Sequence, residues 1–334
     1  MQQRIDGGGH VPVLLAESLA GLALRDGGIY VDATFGRGGH ARAMLDAIGA
    51  HGRVVAIDRD PAAEAAAGAI VDARFTFHRG WFSELPEILA SLGIRAVDGV
   101  LLDLGVSSPQ LEDPARGFTF RVDGPLDMRM DPSRGETAAE FLAHASVDEL
   151  TRVIRDYGEE RFARPVARAI AKARDIGPIV STRQLAAIVA QAIGTRTRGD
   201  WRQDPAARTF QALRIAVNRE LHEVSAALPR ITTLLEGGGR LAAISFHSLE
   251  DRIVKRFLAF ASKPFGGNAQ LARMPIAEAA LPAVPLRIVG RAIKPSASEI
   301  ARNPRARSAV LRIAERTAAP LPARWPRGFE SEQG

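Results

Sequence analysis

The residues with the most chemistry in them are three carboxylates and a run of glycines. Asp32 ends the apolar stretch Ile29-Tyr30-Val31, and Gly36, Gly38 and Gly39 follow it closely. Glycines there let the backbone turn sharply and approach a ligand with no side chain in the way. Asp58 stands twenty residues after Gly38, at the end of a second apolar stretch, where a carboxylate can take both hydroxyls of a ribose. Asp103 closes a third stretch, Val97 to Leu102. The spacing Gly36-x-Gly38-x-x-Ala41 also satisfies the dinucleotide fingerprint, a weak signal on its own, so a nicotinamide-dependent oxidoreductase is one reading. Three carboxylates around one pocket would repel a pyrophosphate, whereas they suit a nucleoside carrying an ammonium and a sulfonium. S-adenosylmethionine is the better match, and the plain alternative is a strand, turn and helix that only pack.

Bringing these groups together takes a parallel sheet. Strand-like runs at 29–31, 53–57, 75–78 and 97–102 alternate with helical patterns, among them 41–48, an alanine-rich stretch capped by Asp60-Pro61, and 85–92. This predicts a doubly wound α/β sheet with the ligand at the helix N-terminus that follows Gly39. Gly80-Trp81-Phe82-Ser83 is the loop after the third strand. An aromatic there could lie against an adenine ring, although a core aromatic is commoner. Residues 105–134 read as a long ordered loop, and helical stretches follow at 138–144, 147–157, 161–174 and 182–192. The pattern predicts an all-helical insertion, 111–207, inside a discontinuous domain made of 1–110 and 208–334. From Thr209 to Leu221 a helix is expected to bury Phe210, Leu213, Val217 and Leu221 and to turn Gln211, Arg214 and Asn218 toward the active-site crest. Helix at 228–236, a stop at Gly237-Gly238-Gly239 and a strand at 240–246 come next. Ser248 to Asp251 look like an N-cap with an acidic first turn, which leaves His247 unexplained at a strand end. Closing strands are expected at 286–293 and 308–314, and the tail beyond Thr317 is expected to be disordered.

Composition narrows the classes. With 46% hydrophobic and 25% charged residues, 334 residues suit a soluble globular domain plus a second module, and no run approaches a membrane span. Residues 1–9 read as neither secretory signal nor transit peptide, so a cytoplasmic location is expected. The absence of cysteine excludes disulfides, cysteine-ligated metal and any thiolate nucleophile. The net charge of +6 hides an asymmetry: residues 1–150 hold 13 Lys/Arg against 22 Asp/Glu, residues 151–220 hold 14 against 7, and residues 221–334 hold 17 against 9. Basic parts joined to an acidic one would attract a polyanion, nucleic acid being the natural candidate.

Six motifs occur in order: His10-Val-Pro-Val, Asp32-Ala-Thr-Phe-Gly-Arg-Gly-Gly-His40, Asp103-Leu-Gly-Val-Ser-Ser-Pro-Gln110, Gly124-Pro-Leu-Asp-Met-Arg-Met-Asp131, Arg208-Thr-Phe-Gln-Ala-Leu-Arg-Ile215 and Ser245-Phe-His-Ser-Leu-Glu-Asp-Arg252. From about His10 to Arg316 the chain resembles the bacterial 16S ribosomal RNA cytosine-N4-methyltransferases, the RsmH or MraW family. The resemblance implies a Rossmann-like seven-stranded S-adenosylmethionine-dependent methyltransferase domain with an inserted helical substrate-binding domain. It also implies methylation of the exocyclic N4 of a cytidine in the decoding region of 16S rRNA, within the small ribosomal subunit, with no metal and no membrane. Cofactor contacts are implied at Gly38, Gly39, His40, Asp58, Phe82, Asp103 and Gln110. Oligomeric state stays open, a dimer being one option. The departures lie in residues 1–9, 262–286 and the tail. Unlike DNA amino-methyltransferases, neither Asp103-Leu-Gly-Val nor Ser107-Ser-Pro-Gln carries an aromatic to stack on the base; Phe118, Phe120, Trp201 and Phe246 are candidates. Methylation of a pyrimidine at carbon 5 usually requires a cysteine adduct, so an exocyclic nitrogen or ribose oxygen is the expected acceptor. Asp103, Ser107, Ser108 and His247 are the expected catalytic set. A non-catalytic RNA-binding assembly factor is the rival that the basic parts alone would support.

Overall fold

The computed structural model describes residues 12–194, 204–267, 281–282, 284–322, 325–326 and 329. Its contacts divide the chain into two compact units, Met1–Gly105 with Leu221–Gly334, and Val106–Glu220. The first unit opens with helix α1 (Leu15–Leu22) and continues through β1 (Ile29–Asp32), α2 (Gly39–Ala47), β2 (Arg53–Asp58), α3 (Pro61–Ala67), β3 (Phe75–Arg79), α4 (Leu85–Ser91) and β4 (Val97–Asp103). Asp60 caps α3 by accepting the Ala62 N–H at 2.9 Å, and Pro61 occupies the first turn, where a missing N–H costs nothing. The four strands pair in parallel. Val54 to Ile57 and Val100 to Leu102 are fully buried, so these strands read as continuous apolar runs, as strands covered on both faces do. Ala41 and Met44 of α2 and its C-cap Ile48 pack with Tyr30, Phe35 and Leu101 in one core.

The second unit holds α5 (Ser108–Glu112), α6 (Ala138–His144), α7 (Val147–Asp156), α8 (Ala163–Arg174), α9 (Thr182–Ile193) and α10 (Ala207–Val217). Side-chain caps from Thr137, Ser146 and Ser181 start α6, α7 and α9, each worth about 1 kcal/mol. Phe141, Leu150, Val153, Ile170, Leu185 and Leu213 share its core. Helix α10 belongs to this core through Phe210, Ala212 and Leu213, and therefore lies outside the 111–207 span expected for the insertion. Gln211, Arg214 and Asn218, expected at an active-site crest, each have partners within the second unit. Gln211 donates to the Tyr157 carbonyl, Arg214 grips Glu220 through two 2.9 Å bonds, and Asn218 is buried. Asn218 clamps the loop ahead of α6, taking the Met130 N–H and donating to the Met128 carbonyl, both at 2.7 Å. Met128 adopts a left-handed backbone (φ 64), a strained state for a residue with a side chain, which that clamp sustains.

The chain then enters α11 (Glu220–Leu234), which runs directly into β5 (Leu235–Ser245). Gly237, Gly238 and Gly239 sit inside that strand instead of ending a helix before it. The β4–β5 ladder shifts register between Val97 and Gly99, and this irregularity absorbs them. After α12 (Ser248–Ala261) come β6 (Leu286–Ile288), α13 (Ala297–Arg302) and β7 (Val310–Arg316). The sheet order is β3-β2-β1-β4-β5-β7-β6, with β7 antiparallel to both neighbours. This is the Rossmann-like seven-stranded sheet that the motifs imply. The tail departs from expectation: Trp325 and Phe329 lie 6.0 and 5.6 Å, ring to ring, from Phe257 of α12, and Trp325 Nε1 donates to the Pro229 carbonyl. Two aromatic anchors outweigh the chain entropy that a polar tail would keep. Among the described residues no helix is long and apolar enough to cross a membrane.

Candidate active site

Parallel pairing places Asp32, Asp58 and Asp103 at the carboxyl ends of β1, β2 and β4. Strand order reverses between β1 and β4, and ligands of open α/β sheets bind at that switch point, outside the carboxyl ends. Asp32 and Asp103 flank it. Asp32 is 1% exposed and accepts the Thr34 N–H at 3.3 Å, while its Oδ2 is buried without a hydrogen-bond partner. Asp103 is anchored by its own N–H, donated to Thr34 Oγ1 at 2.6 Å, and its Oδ1 is likewise buried and unpartnered. Its other oxygen lies 3.7 Å from His40 Nδ1. Burial, with the neighbouring Asp58 charge, raises the Asp32 carboxyl to about 7. Burial, then the Asp32 and Glu250 charges, holds Asp103 well above the ordinary carboxylate range. Asp58 is also raised by burial, although its oxygens accept the Asp60 and Gly36 N–H groups at 2.9 and 2.8 Å. Two unsatisfied buried carboxylate oxygens, with no Lys or Arg pairing with them among the described residues, fit a cationic nucleoside such as S-adenosylmethionine.

The glycines have a partner inside the protein. A Cβ on Gly39 would stand 2.3 Å from Pro12, and one on Gly38 (φ 78), the N-cap of α2, would meet the Phe35 ring at 2.5 Å. Packing alone therefore requires them, while the carboxylate oxygens are what packing leaves unexplained. His40, in the first turn of α2, is buried, with Nε2 3.2 Å from the Val13 carbonyl. Phe82 is half-buried in the short 3-10 turn after β3, next to Trp81, over whose ring Arg59 stacks at 4.5 Å.

His247 is the N-cap of α12, so the cap is one residue earlier than Ser248. Its Nδ1 accepts the Glu250 N–H at 3.4 Å, and Nε2 lies 3.2 Å from Glu250 Oε1. Glu250, 1% exposed, accepts in return from the Phe246 and His247 N–H groups. Sequence reading placed Glu250 in an acidic first turn but not opposite His247, although three residues after the histidine is capping-box spacing. It missed Thr34, for which the sequence carries no signal. Ser107, Ser108 and Gln110 belong to the second unit: Ser107 is the N-cap of α5, its N–H taken by Gln110 Oε1 at 2.9 Å. Of the stacking candidates, Phe118 is buried in the helical core, Phe120 packs 4.6 Å from Phe210, and Phe246 packs against the first unit's core. Trp201 lies outside the described residues.

Comparison with known proteins gives the same direction. The family model described as the MraW methylase family matches residues 8–317. The chain is 58% identical over 309 residues to a protein of Thiobacillus denitrificans named ribosomal RNA small subunit methyltransferase H, covering 92% of this chain and 97% of that one. It is 59% identical to the protein of that name from Azoarcus sp., covering 92% and 96%, and 55% identical to one from Neisseria meningitidis, covering 94% of each. The chain belongs to the MraW methylase family and is a methyltransferase that uses S-adenosylmethionine.

Proposed function

We infer that the enzyme methylates the exocyclic N4 of a cytidine in the decoding region of 16S ribosomal RNA, within the small ribosomal subunit and in the cytoplasm. The observation that carries the reading is the pair of unsatisfied buried oxygens, Asp32 Oδ2 and Asp103 Oδ1, at the switch point of the sheet. Relatives named for small-subunit ribosomal RNA supply the substrate class. In this reading Gly38, Gly39, His40, Asp58, Phe82, Asp103 and Gln110 hold the cofactor, with Asp58 on the ribose hydroxyls. The bound cofactor supplies an electrophilic methyl group on a sulfonium.

The protein's task is then positioning and proton management. Holding N4 in line with that methyl at near-attack distance can supply roughly 7–11 kcal/mol. A cytosine must leave its stack to reach the site. Its N4 lone pair is delocalised into the ring and is a poor nucleophile. Hydrogen bonds from the N4 hydrogens to Asp103, Ser107 or Ser108 favour a pyramidal nitrogen and stabilise the charge that develops. With its carboxyl raised by burial and by Asp32 and Glu250, Asp103 is also suited to take the departing proton. The capping geometry gives His247 a positioning role, fixing the turn after β5. Incubating small subunits from a strain lacking the enzyme with a tritiated methyl donor, then separating the nucleosides, tests the reading. Label in N4-methylcytidine is expected. Label in a ribose-methylated or ring-carbon-methylated nucleoside overturns it.

A further inference from the structure

We propose that the segment from Arg291 to Arg307 is a platform for the phosphate backbone of the RNA strand that presents the target base, an inference resting on the RNA reading above. The segment holds five cations, Arg291, Lys294, Arg302, Arg305 and Arg307, against a single carboxylate, Glu299; Arg287, just before it, pairs with Glu315 at 2.6 Å, toward the far end of β7. All five cations are exposed. Glu299 is engaged inward, accepting the Leu14 N–H at 2.7 Å.

Topology sets this segment beside the site. Because β7 runs antiparallel, its first residue, Val310, pairs with Ser245, the last residue of β5, and Leu311 pairs with Ile244, which pairs with Asp103. The 3-10 turn Pro304–Ser308 leads directly into β7, so Arg305 and Arg307 stand at the edge of the sheet where Asp103 and His247 lie. The backbone beneath them is fixed. Ala306 and Ala309 are buried in the core, Asn303 accepts the Arg305 N–H at 3.2 Å, and Ser296 caps α13 through the Glu299 N–H. Through Leu14 the Glu299 anchor ends one residue from Val13, whose carbonyl meets His40 Nε2. One set of local contacts thus fixes both the arginine turn and a residue proposed to hold the cofactor. Guanidinium groups on a rigid backbone match phosphate oxygens bidentately and lose little entropy on binding.

The test compares wild type with the double variant Arg302→Gln, Arg307→Gln. Binding is measured to small subunits from a strain lacking the enzyme, and to protein-free 16S-derived RNA, across about 50–200 mM KCl. Two lost phosphate contacts are expected to flatten the slope of log affinity on log salt by roughly 1.4–1.8 on both targets. Cofactor affinity and melting temperature are expected to stay at wild-type values. An unchanged slope identifies a solvated face and overturns the proposal, as does a fall in cofactor affinity or melting temperature, which would make the segment a structural brace. A change on subunits but not on free RNA assigns the contact to a ribosomal protein and also overturns it. Nucleoside analysis of the same wild-type reactions separates the two claims. If the cytidine is methylated while the slope is unmoved, the platform alone falls; if no RNA base is methylated, the functional reading falls and the platform with it.

Discussion

Two regions handle partly or fully buried carboxylates in opposite ways. In the loop ahead of α6, Asp127 accepts the Arg129 N–H and two guanidinium bonds at 2.8–2.9 Å. Burial works to raise its carboxyl, and the Arg129 bonds outweigh it, so the group is held below its ordinary range. Asp131, buried a few residues on, accepts from the Ser133 N–H and hydroxyl. At the ends of β1 and β4, buried Asp32 and half-buried Asp103 each keep one buried oxygen with no such partner, and both carboxyls are raised. A closed set of bonds holds a loop in one shape. An open set costs stability in the free protein and is relieved by a cation from outside.

The largest effect expected from this contrast is on pH dependence. Asp32 has a folded value of about 7, above that of an unfolded chain, so the folded protein keeps a proton that the unfolded one releases. The sign follows: stability is greatest below the unfolded value and is lost as pH rises through about 7, by up to about 4 kcal/mol. Asp32→Asn is therefore expected to melt higher than wild type at pH 8, with the gap closing toward pH 4. Its cofactor affinity should be weak and flat with pH, while that of wild type rises through neutrality. Higher melting with undiminished affinity would make Asp32 a purely structural burden. Breaking the closed set comes next. Asn218→Ala strands the Met130 N–H and the Met128 carbonyl, and is expected to lower stability by about 3 kcal/mol in urea unfolding. A loss under about 0.5 kcal/mol would mean that the strained Met128 needs no clamp.

Smaller changes separate holding from chemistry at the open end. Asp58→Ala should weaken cofactor binding by roughly 1.5–3 kcal/mol, the scale of hydrogen bonds to a charged group. Unchanged calorimetric affinity in a folded variant removes Asp58 from the site. Asp103→Asn should slow single-turnover methylation at least tenfold, about 1.4 kcal/mol, at saturating cofactor and RNA. A normal rate with weaker cofactor binding would leave Asp103 as a holder of the donor only.

How much of this was legible in sequence depended on the range of the interaction. The strands, the glycine turn and the three aspartates follow from local alternation, and the sheet has the seven strands that the motifs imply. The roles of Asn218 and Trp325 do not, because their partners are 88 to 96 residues away and no periodicity encodes that pairing. The glycines at 237–239 misled for a related reason. A local stop signal for a helix is equally an irregularity in a strand, and only the neighbouring β4 decides which.

The smallest effect concerns His247, where a capping role and a part in methyl transfer differ in one measurable respect. The cap needs only a short acceptor in place of Nδ1, and asparagine provides one. His247→Ala removes that acceptor and is expected to cost about 1 kcal/mol, with a slower reaction because the Phe246–His247 turn loosens against Glu250. His247→Asn should restore most of both. The rescue works through backbone geometry, so it should hold at every pH where the protein is folded. If His247→Asn regains stability yet remains tenfold slow in single turnover, the imidazole acts beyond the cap, and the positioning role assigned to it is wrong.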